Sequence, residues 1–251
     1  MLNKNSRISV IMPAYNEAGH IKYAIEETTH TFKELGWDFE IIVVDDGSTD
    51  NTLELAREIA KSYGNIIVKQ NRVNHGKGRA LKFGFRFATG NFVVFLDADM
   101  DLHPAQISAF FDIMELDKAD VVIGSKRHPN SVLNYPLQRK VISSFYFFLV
   151  KLLFGLPIRD TQTGLKLFKY EVLERVFPKI LVKHFAFDLE ILVNAHHLGY
   201  KIAEAPVVLE SQRPMGRIGF KAIYTTWIDT LAIWYRMYIL RYYDRIHNNN
   251  L

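Results

Sequence analysis

The feature that most constrains the fold of this chain is a regular alternation of short apolar runs and helical patterns across residues 1–125. Apolar runs of this length predict strands buried in a sheet, and the amphipathic stretches between them predict helices that cover it. The predicted strands are Ile8–Met12, Ile41–Val44, Ile66–Val68, Phe92–Leu96 and Val121–Ile123, and the predicted helices span roughly 17–35, 51–63, 77–88 and 104–116, with Asn16 and the His103-Pro104 pair among their starts. This alternation indicates an α/β fold with a mostly parallel sheet, helices on its faces and right-handed crossovers.

The composition agrees with a folded domain and narrows the chemistry that it can carry out. Hydrophobic residues make up 49% of the 251 positions, which excludes disordered and low-complexity classes. The chain has no cysteine, so disulfides, a thiolate nucleophile and cysteine-bound metal are excluded. The segment Met1–Arg7 lacks the long apolar stretch of a signal peptide, and the expected location is therefore cytoplasmic.

A series of carboxylates follows the fourth predicted strand. Asp97, Asp99 and Asp101 occupy alternate positions, and alternate side chains of an extended segment share one face. Three converging carboxylates would repel one another, and a divalent cation would remove that repulsion. Oxygen ligands favour Mg²⁺ or Mn²⁺ bound together with substrate phosphates, so the sequence predicts such a site here. The alternative is a solvated acidic turn before the helix that begins near Pro104.

Two further loops carry candidate binding residues. One follows a predicted strand, where ligands bind in open α/β sheets, and the other precedes a predicted helix. Asp46, in the run Asp45-Asp46-Gly47-Ser48, can accept hydrogen bonds from a nucleoside. The alternative role of this segment is helix capping by Ser48, Asp50 or Asn51, and both roles can hold because different residues fill them. Lys77, in Asn74-His75-Gly76-Lys77-Gly78, can meet a diphosphate together with the backbone N–H groups of its loop. That loop matches neither the Walker A pattern nor Gly-x-Gly-x-x-Gly.

Two basic, aromatic segments stand apart from the rest of the chain. Residues 121–159 hold six basic side chains and no acidic one, and residues 213–251 hold six basic and two acidic. Narrow polar stripes, which include Arg139 and Ser143 in 137–154 and Lys221 and Arg236 in 219–245, predict helices that lie in a membrane interface. Neither segment reaches the ~18 uninterrupted apolar residues of a spanning helix. The alternative is that both simply pack on the body of the domain.

Several motifs occur in a fixed order over most of the chain, and together they resemble family 2 glycosyltransferases. The nearest likeness is to the polyprenyl-phosphate glycosyltransferases typified by dolichyl-phosphate mannose synthase. The motifs are Val10–Glu17, Val43–Asp50, Asn74–Gly78, Leu96–Asp99, Gly124–Arg127, Arg139 with Ser143, Asp160–Lys166 and Phe187–Glu190. The resemblance implies a GT-A fold in residues 1–212, with an amphipathic helix inserted at 137–154, followed by an amphipathic C-terminal helix in 213–251.

The resemblance also implies roles for individual residues. The nucleotide-sugar would be bound by Pro13, Ala14, Tyr15, Glu17, Asp46, Lys77, Asp97, Ala98 and Asp99. Asp97 and Asp99 would hold the metal, while Asp101 stands where a glutamine is common in the mannose synthases. The acceptor phosphate would be bound by Lys126, Arg127, Arg139 and Ser143, and catalysis would rest on Asp97, Asp99, Lys126, Arg127 and Arg139.

The implied function is inverting transfer of a hexose from GDP-mannose or UDP-glucose to a polyprenyl or dolichyl phosphate, at the cytoplasmic face of a membrane. A small membrane partner protein is possible by the same resemblance. One alternative is transfer to a saccharide hydroxyl with Asp188 as the base, and another is a sugar-phosphate nucleotidyltransferase. Nucleic-acid binding is not expected, because the basic residues are interleaved with long aliphatic runs.

Overall fold

The computed structural model of the chain describes residues 6–132, 137–182, 186–209 and 220–248, without the side chains of 137–145, 220–223 and 246–248. The strands are β1 (Arg7–Ala14), β2 (Asp38–Asp45), β3 (Ile66–Gln70), β4 (Phe92–Phe95), β5 (Val121–Ser125), β6 (Lys166–Lys169) and β7 (Ile202–Pro206). The α-helices are α1 (Ile21–Glu34), α2 (Thr52–Ala60), α3 (Lys77–Phe85), α4 (Ile107–Leu116), α5 (Leu137–Phe154), α6 (Tyr170–Val176), α7 (Phe187–His197), α8 (Phe220–Trp234) and α9 (Tyr242–Asn248).

The strands form one sheet in the order β3-β2-β1-β4-β6-β5-β7. All neighbouring pairs are parallel except those of β6, which runs antiparallel to both β4 and β5. The predicted fold class is confirmed, and so are the five predicted strands. The sequence analysis did not identify β6 or β7 as strands.

Alternating side chains explain why both faces of the sheet are covered. In β2, Ile42 and Val44 join the hydrophobic cluster on one face, and Ile41 and Val43 join the cluster on the other. All four are fully buried, which accounts for the uninterrupted apolar run in the sequence. Helices α1, α2 and α4 lie on one face, while α3, α6 and α7 lie on the other.

One predicted helix start is wrong, and the difference matters for the site. Asn16 has a left-handed backbone (φ +55°), and α1 begins only at Ile21. Asparagine tolerates this conformation better than most residues, so Asn16 ends the β1 loop in a tight turn instead of capping a helix. The start at His103-Pro104 is confirmed, because the His103 side chain accepts a hydrogen bond from the Ala105 N–H.

The C-terminal segment is not one helix, and its described part packs on the body of the domain. A π-helical turn at Tyr235–Ile239 and a left-handed Arg241 (φ +48°) separate α8 from α9. Ile233, Met237 and Tyr243 are buried in the same hydrophobic cluster as α7. Among the described residues, no helix combines the length and apolar content needed to cross a bilayer.

Candidate active site

The sequence-predicted loops meet at one edge of the sheet. Pro13 and Ala14 end β1, Asp46 follows β2, and Asp97 follows β4. Because these strands are parallel and adjacent, their carboxyl ends point to the same side. The antiparallel β6 begins at this edge, since Lys166 pairs with Phe95, and it brings the loop 160–164 to the same place.

The loop after β1 is held by the loop after β2. The Asn16 N–H donates to the Ser48 hydroxyl at 2.9 Å, and the Asn16 side-chain oxygen accepts from the Thr49 N–H at 2.8 Å. The Glu17 N–H donates to the Thr52 hydroxyl at 2.8 Å. These bonds hold the backbone of the loop, while the Tyr15 ring beside them remains 44% exposed at the edge of the sheet.

Asp46 is buried, and it organises the loop that carries Lys77. Its Oδ2 accepts from the Gly76 N–H at 2.7 Å and from the His75 N–H at 3.0 Å, and its Oδ1 accepts from the Asn71 side-chain amide at 2.7 Å. Gly76 has φ +91°, a conformation that glycine adopts without strain. Contact between Asp46 and a nucleoside therefore stays a prediction, whereas its support of the His75-Gly76 turn is visible.

Lys77 and Asp97 form an ion pair at the centre of this edge. The Lys77 ammonium lies 2.6 Å from Oδ1 and 2.7 Å from Oδ2 of Asp97, so it engages both carboxylate oxygens. Burial alone would raise the pKa of Asp97, but the positive charge of Lys77 lowers it. Lys77 is the first residue of α3, and the Asp46-bound turn fixes where that helix begins.

Asp99 lies beside this pair, and neighbouring cations offset its negative charge less than they offset that of Asp97. Burial, together with the negative charge of Asp97, raises the pKa of Asp99 to about 6. Asp97, Asp99 and Asp101 line one cavity of about 130 Å³, which Lys126 and Gln162 also line. A carboxylate with a raised pKa beside another carboxylate is a position where an added cation is stabilising.

The predicted metal ligand set of Asp97, Asp99 and Asp101 stays a prediction, although all three side chains line one cavity. The described residues contain no group of three acidic or histidine side chains arranged to hold a metal ion. Strand β4 ends at Phe95, and the chain turns at Met100 (φ +58°), so the alternation of an extended strand does not continue to Asp101. Asp97 and Asp99 still fit a divalent cation that is also bound by a ligand's phosphates, because both are oxygen donors in one cavity.

A buried ion pair contacts the loop 160–164, which helps to line this cavity, and the sequence analysis did not predict the pair. Lys166 is 1% exposed and donates to Oδ1 of Asp188 at 2.7 Å and to the carbonyl of Thr163. Burial lowers the pKa of Lys166, even though the neighbouring Asp188 acts in the opposite direction. A Cβ at Gly164 would lie 2.9 Å from the Asp97 carboxyl carbon, so only glycine lets Asp97 approach this loop.

The two basic residues after β5 belong to different cavities. Lys126 lines the carboxylate cavity, whereas Arg127 lines a second cavity beside α5. Asp160 holds the backbone at Lys126, because its Oδ2 accepts from the Lys126 N–H at 3.0 Å and from the Thr163 hydroxyl at 2.8 Å. The side chains of Arg139 and Ser143 lie outside the described residues, so their acceptor roles stay predictions.

Comparison with known proteins finds similarity at the level of both sequence and fold. The sequence profile of glycosyl transferase family 2 matches residues 9–177. A dolichyl-phosphate beta-glucosyltransferase of Trichomonas vaginalis is 35% identical over 209 residues, which is 80% of this chain and 64% of the relative. One of Dictyostelium discoideum is 33% identical over 216 residues, or 81% of this chain and 66% of the relative. The chain thus spans just under two thirds of the length of these relatives.

Solved structures share the fold at lower sequence identity. Glucosyl-3-phosphoglycerate synthase from Mycobacterium tuberculosis, in complex with Mn²⁺, UDP and phosphoglyceric acid, matches with a TM-score of 0.72 and 22% identity. The match covers 92% of this chain and 78% of that structure. The same enzyme with Mn²⁺, UDP-glucose and phosphoglyceric acid matches with a TM-score of 0.70 and 20% identity, over 92% of this chain and 80% of that structure.

Proposed function

Because the chain belongs to glycosyl transferase family 2, we propose that it transfers a hexose from a nucleotide-sugar to a polyprenyl phosphate, with inversion at the anomeric carbon. One observation carries this proposal. Asp97, which is paired with Lys77, and Asp99 line a polar cavity at the carboxyl ends of the strands. Lys126 also lines this cavity, and the next residue, Arg127, lines the second cavity beside α5, called the cationic cleft below. A donor diphosphate suits the first cavity, and an anionic acceptor suits the cleft.

The donor is proposed to be a nucleoside diphosphate hexose, with its nucleoside beside Tyr15 and its diphosphate near Lys77. Two relatives are named glucosyltransferases, and the enzyme with the same fold binds UDP-glucose, which favours glucose over mannose. Lys77 offers an ammonium group for the diphosphate, and the Asp46-bound turn holds that lysine at the start of α3. A divalent cation held by Asp97 and Asp99, Mg²⁺ or Mn²⁺, would offset the charge that develops on the leaving diphosphate.

The acceptor phosphate attacks the anomeric carbon as the bond from that carbon to the diphosphate oxygen breaks. The new bond joins the anomeric carbon to a phosphate oxygen, and the nucleoside diphosphate leaves with the electron pair. A phosphate monoester is largely ionised near neutral pH, with a second pKa of about 6, so it needs no protein base. The cations of this chain, above all Lys126 and Arg127, hold and orient the attacking anion.

Transfer to a saccharide hydroxyl is less well supported, because the base predicted for it is already paired with another side chain. Asp188 was the candidate, but it is 6% exposed and ion-paired to the buried Lys166. Asp188 is also absent from the residues that line the carboxylate cavity or the cationic cleft. The nucleotidyltransferase alternative is set aside by the family assignment.

The proposed place of action is the surface of a membrane, on its cytoplasmic side. Large apolar side chains are exposed on the helices near the cleft, including Phe148, Leu152 and Tyr224 at 64%, 71% and 69%. Exposed aromatic and aliphatic groups of this kind suit the headgroup region of a bilayer.

The test is a panel of UDP- and GDP-hexoses with polyprenyl phosphate and Mg²⁺ or Mn²⁺, with the product identified by mass. A hexosyl polyprenyl phosphate is the expected product, made with UDP-glucose in preference to GDP-mannose. Soluble oligosaccharides serve as the matched acceptors. Transfer to them, with polyprenyl phosphate left unmodified, would overturn the proposal.

A further inference from the structure

Glu190, on α7, is a fully buried carboxylate at the centre of a polar cluster that the sequence analysis did not predict. Its Oε2 accepts from the Leu181 N–H at 3.0 Å and from the Val182 N–H at 2.7 Å. Its Oε1 accepts from the Arg236 guanidinium at 3.1 Å and from the Tyr243 hydroxyl. These five residues form the Glu190 cluster, in which two donors come from the segment before α7 and two from the C-terminal segment.

The C-terminal donors of the Glu190 cluster satisfy a charge that has no access to water. Arg236 supplies a positive charge, and its Nε also donates to the Tyr243 hydroxyl at 3.1 Å. Burial, together with the negative charge of Glu190, raises the pKa of Tyr243, so its hydroxyl stays protonated and donates to the carboxylate. Because a buried carboxylate that loses such donors must move or become solvated, the C-terminal segment fixes where Glu190 lies.

The segment 179–182, which precedes α7, is held by the same C-terminal residue and by α3. The buried Lys179 ammonium donates to the Tyr243 carbonyl at 2.8 Å, so Tyr243 contacts this segment through its backbone and α7 through its side chain. The Lys82 ammonium of α3 donates to the Ile180 carbonyl at 3.1 Å. The C-terminal segment therefore fixes both α7 and the segment before it.

The first turn of α7 packs directly on the start of α3, where Lys77 lies. The Phe187 ring covers Gly78, the residue after Lys77, since a Cβ at Gly78 would lie only 2.4 Å from two of the ring carbons. Glycine permits this close approach because it has no side chain. Phe187 is buried and lies in the same helical turn as Glu190, so a shift of that turn displaces Lys77.

The same turn of α7 is linked to the carboxylate of Asp97. Asp188 accepts from the Lys166 ammonium at 2.7 Å, and Lys166 also donates to the Thr163 carbonyl. The next residue, Gly164, lies against Asp97, since a Cβ there would lie 2.9 Å from the carboxyl carbon. Two contacts thus connect the first turn of α7 with the ion pair at the centre of the candidate active site.

We propose that Arg236 and Tyr243 are positioning residues for donor binding, which act through Glu190 and α7 on the Lys77–Asp97 pair. The inference rests on the proposed function and gives the C-terminal segment a part in it other than membrane docking. Neither residue lines the carboxylate cavity, so their effect on a bound diphosphate is indirect. Their hydrogen bonds hold α7 in the place from which it sets the position of Lys77.

The test is calorimetry of UDP with Mn²⁺, compared between the wild type and Tyr243→Phe. The change removes one hydrogen-bond donor from Glu190 and leaves the aromatic ring in the core. The Kd for UDP should rise by about threefold or more, the scale at which residues without ligand contact modulate binding. The matched control is Asp244→Ala, which removes the exposed pair of Asp244 with His197 and thus another link between α9 and α7. The Kd of this control should stay within about twofold of the wild type.

A double-mutant cycle separates positioning from a loss of stability. Well below the melting temperature nearly all chains are folded, so a loss of stability alone leaves the Kd unchanged. In the Lys77→Met background, Tyr243→Phe should raise the Kd for UDP by less than in the wild-type background, because the side chain that it positions is absent. In the transfer reaction, Tyr243→Phe should raise the KM for the nucleotide-sugar and leave the KM for polyprenyl phosphate unchanged. Arg236→Met is the second variant and should show the same pattern.

Three outcomes would overturn the positioning role. A Kd for UDP that stays unchanged in both Tyr243→Phe and Arg236→Met is one, and an equal effect of Tyr243→Phe with and without Lys77 is another. The third is an equal increase of the Kd in Asp244→Ala, since any contact between α9 and α7 would then have the effect. A wild type that binds UDP but transfers no hexose to polyprenyl phosphate overturns the proposed function alone, because the Kd values still decide the positioning role.

Discussion

Single side chains at the strand ends determine the electrostatics of the carboxylate cavity. Lys77 engages both oxygens of Asp97, and Asp99 beside them has a pKa raised to about 6 by burial and by Asp97. Gly164 leaves room for the Asp97 carboxylate, and Asp46 fixes the turn before Lys77. In the absence of ligand, the ammonium of Lys77 thus occupies the Asp97 oxygens that a divalent cation would use.

Replacing Lys77 by methionine is predicted to have two opposite effects on binding. Affinity for Mn²⁺ alone should increase, because the competing ammonium is removed from Asp97. Affinity for UDP in the presence of Mn²⁺ should fall by about tenfold, the scale of one charge-assisted contact to a diphosphate. Calorimetric titration of Mn²⁺, and then of UDP, measures both effects, with Lys22→Met as the control. Weaker binding of Mn²⁺ in the variant would contradict this account.

At the scale of single elements, β6 and α7 bury two charged side chains at positions that the sequence pattern does not predict. The residues of β6, Lys-Leu-Phe-Lys, do not form an apolar run, because Lys166 is buried only through its pairing with Asp188 on α7. Twenty-two positions separate these two residues, so only the tertiary fold brings them together. The pair holds the Thr163 carbonyl and hence the loop that ends at Gly164.

The elements of the molecule differ in how far they could be predicted from the sequence. Strands β1 to β5 were predictable because their apolar runs are continuous, and the strand-end motifs meet as the parallel topology requires. The positions of Asp46 and Lys166 could not be derived, since each depends on partners supplied by distant segments. The arrangement of Asp97, Asp99 and Asp101 was only partly predictable, because β4 ends two residues before Asp97.

Lys166→Met is predicted to destabilise the fold by about 3–5 kcal/mol, the cost of leaving a buried carboxylate without its partner. The matched control is Lys169→Met on the same strand, which removes a partly exposed pair with Asp120 of the same 2.7 Å length. Such exposed pairs contribute about 0–1 kcal/mol. Urea unfolding measures both changes. Equal losses of unfolding free energy in the two variants would contradict the prediction that burial makes the Lys166–Asp188 pair contribute more to stability.

At the scale of the whole molecule, the C-terminal helices have an inner face in the core and an outer face that is apolar and exposed. Arg236 was predicted to face lipid phosphates, but it turns inward and donates to Glu190 at 3.1 Å. Glu190 also accepts from the Tyr243 hydroxyl, which anchors α9 to α7. The exposed side is a stripe at helical spacing formed by Tyr224, Ile228, Leu231 and Tyr235, which are 69%, 47%, 46% and 49% exposed.

This two-sided arrangement makes Tyr224→Ser/Tyr235→Ser a direct test of membrane docking. Deleting the tail would remove Ile233, Met237 and Tyr243 from the core, whereas these two changes affect only the exposed stripe. Binding to phosphatidylcholine–phosphatidylserine vesicles in a flotation assay should fall by about tenfold or more, because apolar burial is lost. The control is Tyr23→Ser, a change at a tyrosine on α1 that is 54% exposed. Equal flotation of all three proteins would contradict a membrane role for the stripe.

The central claim is that Asp97 and Asp99 bind the donor's diphosphate through a divalent cation, and calorimetry of UDP with and without Mn²⁺ tests it most directly. The wild type should bind UDP at least about tenfold more tightly with Mn²⁺ than with EDTA. Asp99→Asn should lose that difference while keeping its melting temperature, because the change removes a charge and leaves the shape of the side chain. Metal-independent binding of UDP by the wild type, or a full Mn²⁺ effect in Asp99→Asn, would contradict the account.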